Sequence, residues 1–380
     1  MDIVGTVLIS ILVFGFLIFI HEFGHYIFAR IFKVTILEFS IGMGPKLIQY
    51  KSKKTGINYA ISAIPFGGYV AMAGEDAIPD EYNKLEQQSA EERESSDDEQ
   101  EKKTSDGVIE IPDDPNAFNK KPAWQRLIIT VAGASVNIIA GFLAMIIYTS
   151  VTPIGGTEIY DFPEADFDVR SSESGLISGD VITHVDGKRV YISDELSYEI
   201  MRRGNEPIDV TVLRDGETVV IPDVVFPTIE ASGQLFGTID FRIVGKDSGK
   251  TFSEVMAQSF RKSILIVRMC WESIYDLIVG RYSLDAVSGP VGISSAIGEA
   301  ARKDGSQLLY ITTLISINLG VMNLLPIPAL DGGRMLTTLF EMITRKKIPA
   351  KIEQKINGIG LVVLLGLSLL IMIKDIINLF

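Results

Sequence analysis

Cysteine is nearly missing from this chain: one residue, Cys270, in 380. A single thiol excludes an internal disulfide and any cysteine-based zinc cluster. Histidine is scarce too, with only His21, His25 and His184. A metal site, if there is one, must use these imidazoles together with carboxylates. Charge of one sign is also lacking over most of the length. The formal net charge is −13, but residues 75–115 alone hold sixteen Asp/Glu against four Lys/Arg. The acidity is therefore a property of one segment and not a field of the whole protein. No basic stripe suited to phosphate backbones is present, and no nucleic-acid partner is expected.

What the chain has in quantity is apolar sequence. It is 47% hydrophobic with a mean hydropathy of +0.28. That is enough for several membrane spans and one small soluble domain. The first apolar run ends in LIFIHEFGHYIFAR, Leu17 to Arg30, which puts His21, Glu22 and His25 in a helix of membrane-spanning length. Ionisable groups are costly there unless a partner or a task compensates. Four residues apart on a helix, His21 and His25 stack on one face, a spacing that lets two imidazoles hold one Zn²⁺ with Glu22 beside them as general base. The bland alternative is a histidine pair satisfied by neighbouring helices.

The run from Ile3 predicts a helix to about Phe32. It reads poorly as a signal peptide, since Asp2 stands where a basic start is usual and no small-residue cleavage site follows. Arg30, Lys33, Lys46, Lys51, Lys53 and Lys54 form a basic flank, which the positive-inside rule places in the cytoplasm with the amino terminus outside. Val34 to Met72 predicts strands, broken by GMGP and PFGG. Within it, Asn58 to Ala71 reads either as a hairpin on the cytoplasmic side or as a re-entrant loop at membrane depth, with the second favoured. An edge strand there would be able to pair with an extended substrate. Residues 75–117 read as a disordered acidic cytoplasmic insert.

FNKKPAWQR, with Trp124, suits an interfacial anchor ahead of a second span over Leu127 to Val151. Asn137 in that span is read as interhelical packing, with a hydrogen bond to the first helix as the other option. Ile154 to Gly245 turns polar and strand-rich, with hairpin turns at Asp186-Gly187 and Asp215-Gly216, the size of one small domain. Thr251 to Gly280 is apolar but carries Arg261, Lys262, Arg268, Glu272 and Asp276. It predicts an amphipathic helix or helix pair on the outer membrane surface, in a segment 246–307, and not a span. The third span is expected over Leu308 to Leu330, ahead of Asp331 and an amphipathic helix from Arg334. A basic flank with Arg345, Lys346 and Lys347 marks this end as cytoplasmic. The fourth span starts at Ile359 and leaves the carboxyl terminus outside.

The expected fold is thus a polytopic α-helical membrane protein of four spans, with an inserted extracytoplasmic β-rich domain. HEFGH and Asp331 then share one depth near the cytoplasmic face. The expected site is one Zn²⁺ on His21, His25 and Asp331, with a fourth position open to water and Glu22 taking its proton. Asn318 and Asn323, on the span leading to Asp331, are candidates for holding the substrate backbone or an oxyanion, or for plain helix–helix hydrogen bonds. Asp331 as a simple helix N-cap is the alternative reading of that residue.

Five stretches carry a family resemblance: HEFGH, PFGGYV at Pro65 to Val70, FNKKPAWQR, SGPVGI at Ser288 to Ile293, and NLLPIPALDGG at Asn323 to Gly333. In order and spacing they resemble the site-2 protease family of intramembrane zinc metalloproteases, most closely the bacterial regulator-of-sigma-E protease branch. The resemblance implies the same three zinc ligands and the same catalytic glutamate. It also implies that 154–245 is a single PDZ-like domain. PFGGYV would be a membrane-associated β-loop handling substrate, with Pro65, Gly67 and Gly68 as contacts. The implied substrates are single-span membrane proteins already trimmed outside, such as anti-sigma factors and signal-peptide remnants, cut at a bacterial cytoplasmic membrane. Gly133-Ala134 stands where many members have Gly-Pro, and the acidic insert lies outside the family pattern.

The sequence-derived domains are 1–74 (first span and β-loop), 75–117 (acidic insert), 118–153 (second span), 154–245 (PDZ-like), 246–307 (surface helices) and 308–380 (third and fourth spans). A non-proteolytic membrane adaptor with a vestigial metal site is the alternative function. A metal transporter would need further polar ligands, and the last span offers none.

Overall fold

A computed structural model describes residues 3–75, 114–164, 168–231, 234–281, 287–346 and 348–377. The acidic insert expected at 75–117 falls almost wholly outside the described residues. Chain contacts divide the protein into two units, one of residues 1–140, 289–302 and 315–380, the other of 141–288 and 303–314.

In the first unit, helix α1 (Ile3–Ile31) is apolar on every side over most of its length, as a helix surrounded by lipid must be. A long antiparallel pair follows, β1 (Ile36–Lys51) and β2 (Asn58–Met72). The ladder doubles back: Glu38, Phe39, Ser40 and Ile41 each pair with two residues of β2, one near 58–61 and one near 68–71. The inner part of β1 therefore lies between two segments of β2, and Gly68–Met72 forms an outer segment laddered to it. Buried Glu38 locks this loop from inside, accepting from Lys46 Nζ at 2.8 Å and from Tyr69 Oη at 2.6 Å. The strands dock on α1 through aromatic residues, with Tyr26 and Phe39 edge to face at 5.4 Å and the Tyr26 and Tyr59 hydroxyls 2.9 Å apart.

Helix α2 (Ala123–Val151) is the second long apolar helix. In the first unit its beginning meets the end of α1. Three more helices matter here: α5 (Pro290–Lys303), α6 (Gly305–Asn323) and α8 (Ala350–Ile377), with the shorter α7 (Asp331–Thr344) between the last two. The amino-terminal part of α1 packs on α5, where Ser10 Oγ donates to the Ser294 carbonyl at 3.4 Å. Ser316 Oγ of α6 donates to the Asn137 carbonyl of α2 at 2.8 Å. Helix α8 begins where Asn357 Oδ1 accepts from the Ala329 amide, and ends where Asp375 Oδ2 accepts from the amides of Gly289 and Gly292, 2.9 Å each. Helices α1 and α6 accordingly run toward the level of Asp331, and α2 and α8 run away from it.

Among the described residues, four helices are long and apolar enough to cross a membrane: Val4–Ile31, Ala123–Val151, Gly305–Asn323 and Lys351–Ile377. The fourth helix begins at Ala350, well ahead of the expected Ile359, and the third ends short of the expected Leu330. The third helix stops at Asn323, and Leu324–Leu330 is turn, not span. Pro326 and Pro328 remove two amide donors and clash with the preceding turn. Ala329 then takes a left-handed φ of +72°, at a cost of about 1–2 kcal/mol for a residue with a Cβ.

The second unit is built on a sheet of order β10-β3-β4-β6-β7: β3 (Ile154–Asp161), β4 (Val181–Val185), β6 (Ile208–Arg214), β7 (Glu217–Val224) and β10 (Arg242–Lys246), with the short β5 (Lys188–Arg189) on β4. A two-stranded piece, β8 (Thr228–Ala231) with β9 (Gln234–Gly237), stands beside it. Helix α3 (Ser193–Arg203) covers the sheet through Leu196 and Ile200, both buried with Ile182, Val210, Val212 and Phe226. The segment 251–280 forms one helix, α4 (Phe252–Ile278), opened by a Thr251–Glu254 capping box. Its charges have partners on α3: Lys262 with Asp194 at 3.2 Å, Arg202 with Asp276 at 2.7 Å, and Arg268 with Glu199. Lys250 Nζ donates to three carbonyls at the end of α2, those of Thr149, Ser150 and Thr152, at 2.7–3.1 Å. That closes a helix terminus whose carbonyls have no intrahelical partner.

Candidate metal centre

The site lies wholly in the first unit. His21 and His25 project from one face of α1, as i,i+4 residues must. Asp331 is the first residue of α7. The N-cap position belongs to Leu330, and no side-chain capping bond is made there. The simple N-cap reading of Asp331 therefore does not describe its contacts.

Three atoms converge. His21 Nε2 lies 3.2 Å from Asp331 Oδ2, His25 Nε2 lies 3.3 Å from the same oxygen, and the two Nε2 atoms are 3.3 Å apart. A tetrahedral zinc about 2.0–2.1 Å from nitrogen and oxygen donors would hold any two of them about 3.3–3.4 Å apart. The triangle fits that ion, and His21, His25 and Asp331 are the described residues that could share one. A second observation separates this from an ordinary histidine–aspartate pair. Asp331 Oδ2 is buried and accepts no well-formed hydrogen bond, despite two nitrogens within 3.3 Å. The donor atoms point at a common centre and not at one another.

The tautomer of His25 follows from its other nitrogen. Nδ1 lies 2.8 Å from the Ile129 carbonyl of α2. A carbonyl only accepts, so Nδ1 carries the proton and Nε2 keeps its lone pair for a metal. His21 Nδ1 faces the side chain of Asn137, also on α2, with Nδ2 at 3.4 Å. Between these two positions sits Gly133. A Cβ built on it would lie 2.3 Å from His25 Nε2 and 2.9 Å from His21 Cε1. One built on Gly24 would lie 2.7 Å from the Ala132 carbonyl oxygen and 2.9 Å from Gly133 Cα. The two helices thus touch backbone to backbone, and the imidazoles lie over bare main chain. Ile129, Gly133 and Asn137 make a single stripe of α2 beneath both rings.

Glu22 is buried, and its side chain turns toward the β-loop. A Cβ on Gly68 would come 2.9 Å from Glu22 Cγ. The outer strand segment therefore passes directly against the glutamate. Gly67 adopts φ +88° beside Met43. The Pro65 side chain lies outside what is described. Asn318 carries a buried side-chain oxygen with no hydrogen-bond partner, and Asn323 closes α6. No contact joins either asparagine to the three converging donors among the described residues. His184 sits on β4 in the other unit and takes no part. Around the site, the guanidinium of Arg334, three residues after Asp331, pairs with Glu75 at the end of the β-loop. The carboxylate charge outweighs burial and holds Arg334 firmly protonated.

The sequence reading identified His21, Glu22, His25 and Asp331. From sequence, Asn137 reads as packing, with a hydrogen bond to the first helix as the other option, and Gly133 and Ile129 carry no site role. The signal for the stripe was available in principle, since 129, 133 and 137 repeat every four residues. Its meaning required knowing that α2 crosses α1 at that point.

Comparison with known proteins identifies the family of the chain. Residues 9–367 match peptidase family M50. The chain is 31% identical over 372 residues to a putative zinc metalloprotease of Clostridium perfringens, covering 98% of each protein. It is 32% identical over 372 residues to one of Clostridium acetobutylicum, covering 98% of this chain and 97% of the relative. It is 29% identical over 428 residues to the regulator of sigma-W protease RasP of Bacillus subtilis, covering 99% of each.

Proposed function

This chain belongs to peptidase family M50 and is a membrane zinc metalloprotease, and from that premise we propose that it hydrolyses peptide bonds within transmembrane segments, using His21, His25 and Asp331 as zinc ligands and Glu22 as general base and acid. The observation that carries this reading is the triangle of donors 3.2–3.3 Å on a side, with its buried aspartate oxygen left without a hydrogen bond. Zinc bound there supplies a Lewis acid that brings the pKa of water toward about 7. Glu22, held against Gly68, accepts the proton of the attacking water and returns it to the leaving amine. The His25 Nδ1–H bond to the Ile129 carbonyl keeps that ring from turning as charge develops.

A helix cannot be cut until its carbonyls are freed from their own hydrogen bonds, so the substrate must be extended at the glutamate. The outer segment Gly68–Met72 supports this role, because it is laddered to Ile36–Ile41 and passes Glu22. An extended substrate adds to it as a further strand. Gly67 and Gly68 line that path, Pro65 is a further proposed contact, and Asn318 and Asn323 offer amides for the substrate backbone or the oxyanion.

The substrates are single-span membrane proteins already shortened on the outer side, of anti-sigma-factor or signal-peptide-remnant type. The relative named as a regulator of sigma-W protease supports that choice. The protein acts in a bacterial cytoplasmic membrane, with both termini outside, the site near the cytoplasmic face, and residues 154–245 as an extracytoplasmic PDZ-like domain. The small sheet covered by α3 supports the domain reading.

The test uses the full chain purified in detergent, assayed for zinc and mixed with a single-span model substrate beside a Glu22→Gln control. Cleavage by the wild type with one zinc per chain, and none by the variant, is expected. Equal cleavage by both would sink the role of Glu22. Absence of both zinc and cleavage in the wild type would favour a non-proteolytic adaptor.

A further inference from the structure

Asn137 is 0% exposed in an otherwise apolar stretch of α2. A carboxamide so placed is costly unless its donors and acceptor are used. Its side-chain oxygen is buried without a hydrogen-bond partner, while its Nδ2 lies 3.4 Å from His21 Nδ1. The two ends of an amide are nearly isosteric, and the correct one is set by the chemistry around it. Here His21 Nε2 faces His25 Nε2 and Asp331 Oδ2. For that nitrogen to offer a lone pair to a metal, the ring proton must sit on Nδ1. A protonated Nδ1 needs an acceptor, and an NH₂ group is not one. Turning the amide end for end supplies it, and gives the orphaned oxygen a donor.

We infer that Asn137 is a positioning residue for His21: its carbonyl oxygen accepts the Nδ1–H bond and holds the tautomer that presents Nε2 to the metal. This rests on the reading of His21, His25 and Asp331 as zinc ligands. It completes a symmetry already half visible, for the Ile129 carbonyl does the same for His25 from two turns earlier on α2. Asn137 is itself held in place. Its backbone carbonyl accepts from Ser316 Oγ at 2.8 Å, on the helix that leads to Asp331. One residue of α2 thus touches the element carrying two ligands and the element delivering the third.

The experiment measures zinc, not turnover. Full-length protein in detergent is titrated with a chelator, and bound zinc is counted for the wild type, Asn137→Leu, Asn137→Asp and His21→Ala. Leucine fills about the same space but accepts nothing, and loss of such an outer partner typically weakens metal binding about 10–100-fold. Aspartate keeps the acceptor and is expected to hold zinc within a few-fold of wild type, a rescue that a packing role would not allow. Asn137→Leu holding zinc as tightly as wild type, while His21→Ala loses it, would overturn the inference and leave the ligand set standing. His21→Ala holding zinc normally would instead overturn the ligand set. Aspartate as damaging as leucine would reduce Asn137 to helix packing.

Discussion

Buried aspartates in the two units of this protein are used in opposite ways. In the β-rich unit, Asp180 and Asp240 are closed on their partners. Asp180 is fully buried, and both its oxygens are used by Arg214, at 2.7 and 2.8 Å. Asp240 is spent on the amide and hydroxyl of Ser171, at 2.7 and 2.6 Å. At the candidate metal centre the opposite holds: Asp331 Oδ2 is buried, flanked by two imidazole nitrogens and left without a hydrogen bond. Closed pairs hold a fold together, since removing one partner strands the other. An open set of donors has value only to something that is added. The same residue type, aspartate, serves both ends, and the geometry of its oxygens tells which.

The largest test of this contrast removes a single functional atom. Glu22→Gln should keep its zinc and lose cleavage by about 10²–10⁴-fold, the usual worth of a general base. Zinc content and a substrate-cleavage time course on one preparation check both halves. Next in size is Gly133→Ala. Its methyl would fall 2.3 Å from His25 Nε2, so the ring must move off the shared centre. At least a tenfold loss of zinc retention in a chelator titration is expected, with the helical circular dichroism spectrum unchanged.

A mutation of the closed kind should do the reverse. Arg214→Leu leaves the buried Asp180 carboxylate unpaired and should destabilise the β-rich unit by about 3 kcal/mol. Denaturant unfolding would show the loss, and zinc per chain should not change. The smallest effect concerns acid. Burial tends to raise the Glu272 carboxyl, but the hydrogen bond from Tyr198 and the charges of Arg268 and Arg202 prevail and hold it below its ordinary value of 4.5. A depressed carboxyl gives stability that is present above the unfolded value and is lost as pH falls through the folded one. The α3–α4 contact should therefore hold at neutral pH and loosen only below about 4.5. Trp271 fluorescence in a Trp124→Phe background would report it. Loosening already at pH 6 would contradict the assignment.

Much of the candidate metal centre was legible in the sequence because its parts are chemical. HEFGH in an apolar helix has few uses, a third ligand was required, and with His184 in a polar segment a carboxylate had to supply it. The four long helices were legible for a similar reason, since length and hydropathy are local quantities. What escaped was set by approach between distant segments. Gly133 looks like any small residue in a membrane helix until α1 is laid against it. The charges along 251–280 were read as an amphipathic face, and their partners Asp194, Glu199 and Arg202 on α3 have no local signature. The third helix ends before LLPIPAL because its two prolines are a strong stop signal that outweighs its apolar composition. The capping box at Thr251 and Glu254 was there to be read as well.

Helix α2 contributes no ligand, yet Ile129, Gly133 and Asn137 each meet an imidazole from a fixed phase of its winding. Each residue of an α-helix advances the winding by about 100°. Deleting or inserting one residue between 129 and 137 would swing one end of the stripe away from its ring while leaving the helix as apolar and as long as before. The segment is thus under a constraint on count rather than on composition. A substitution on the face turned away from α1 should be tolerated here, and a change in the number of residues between these contacts should not.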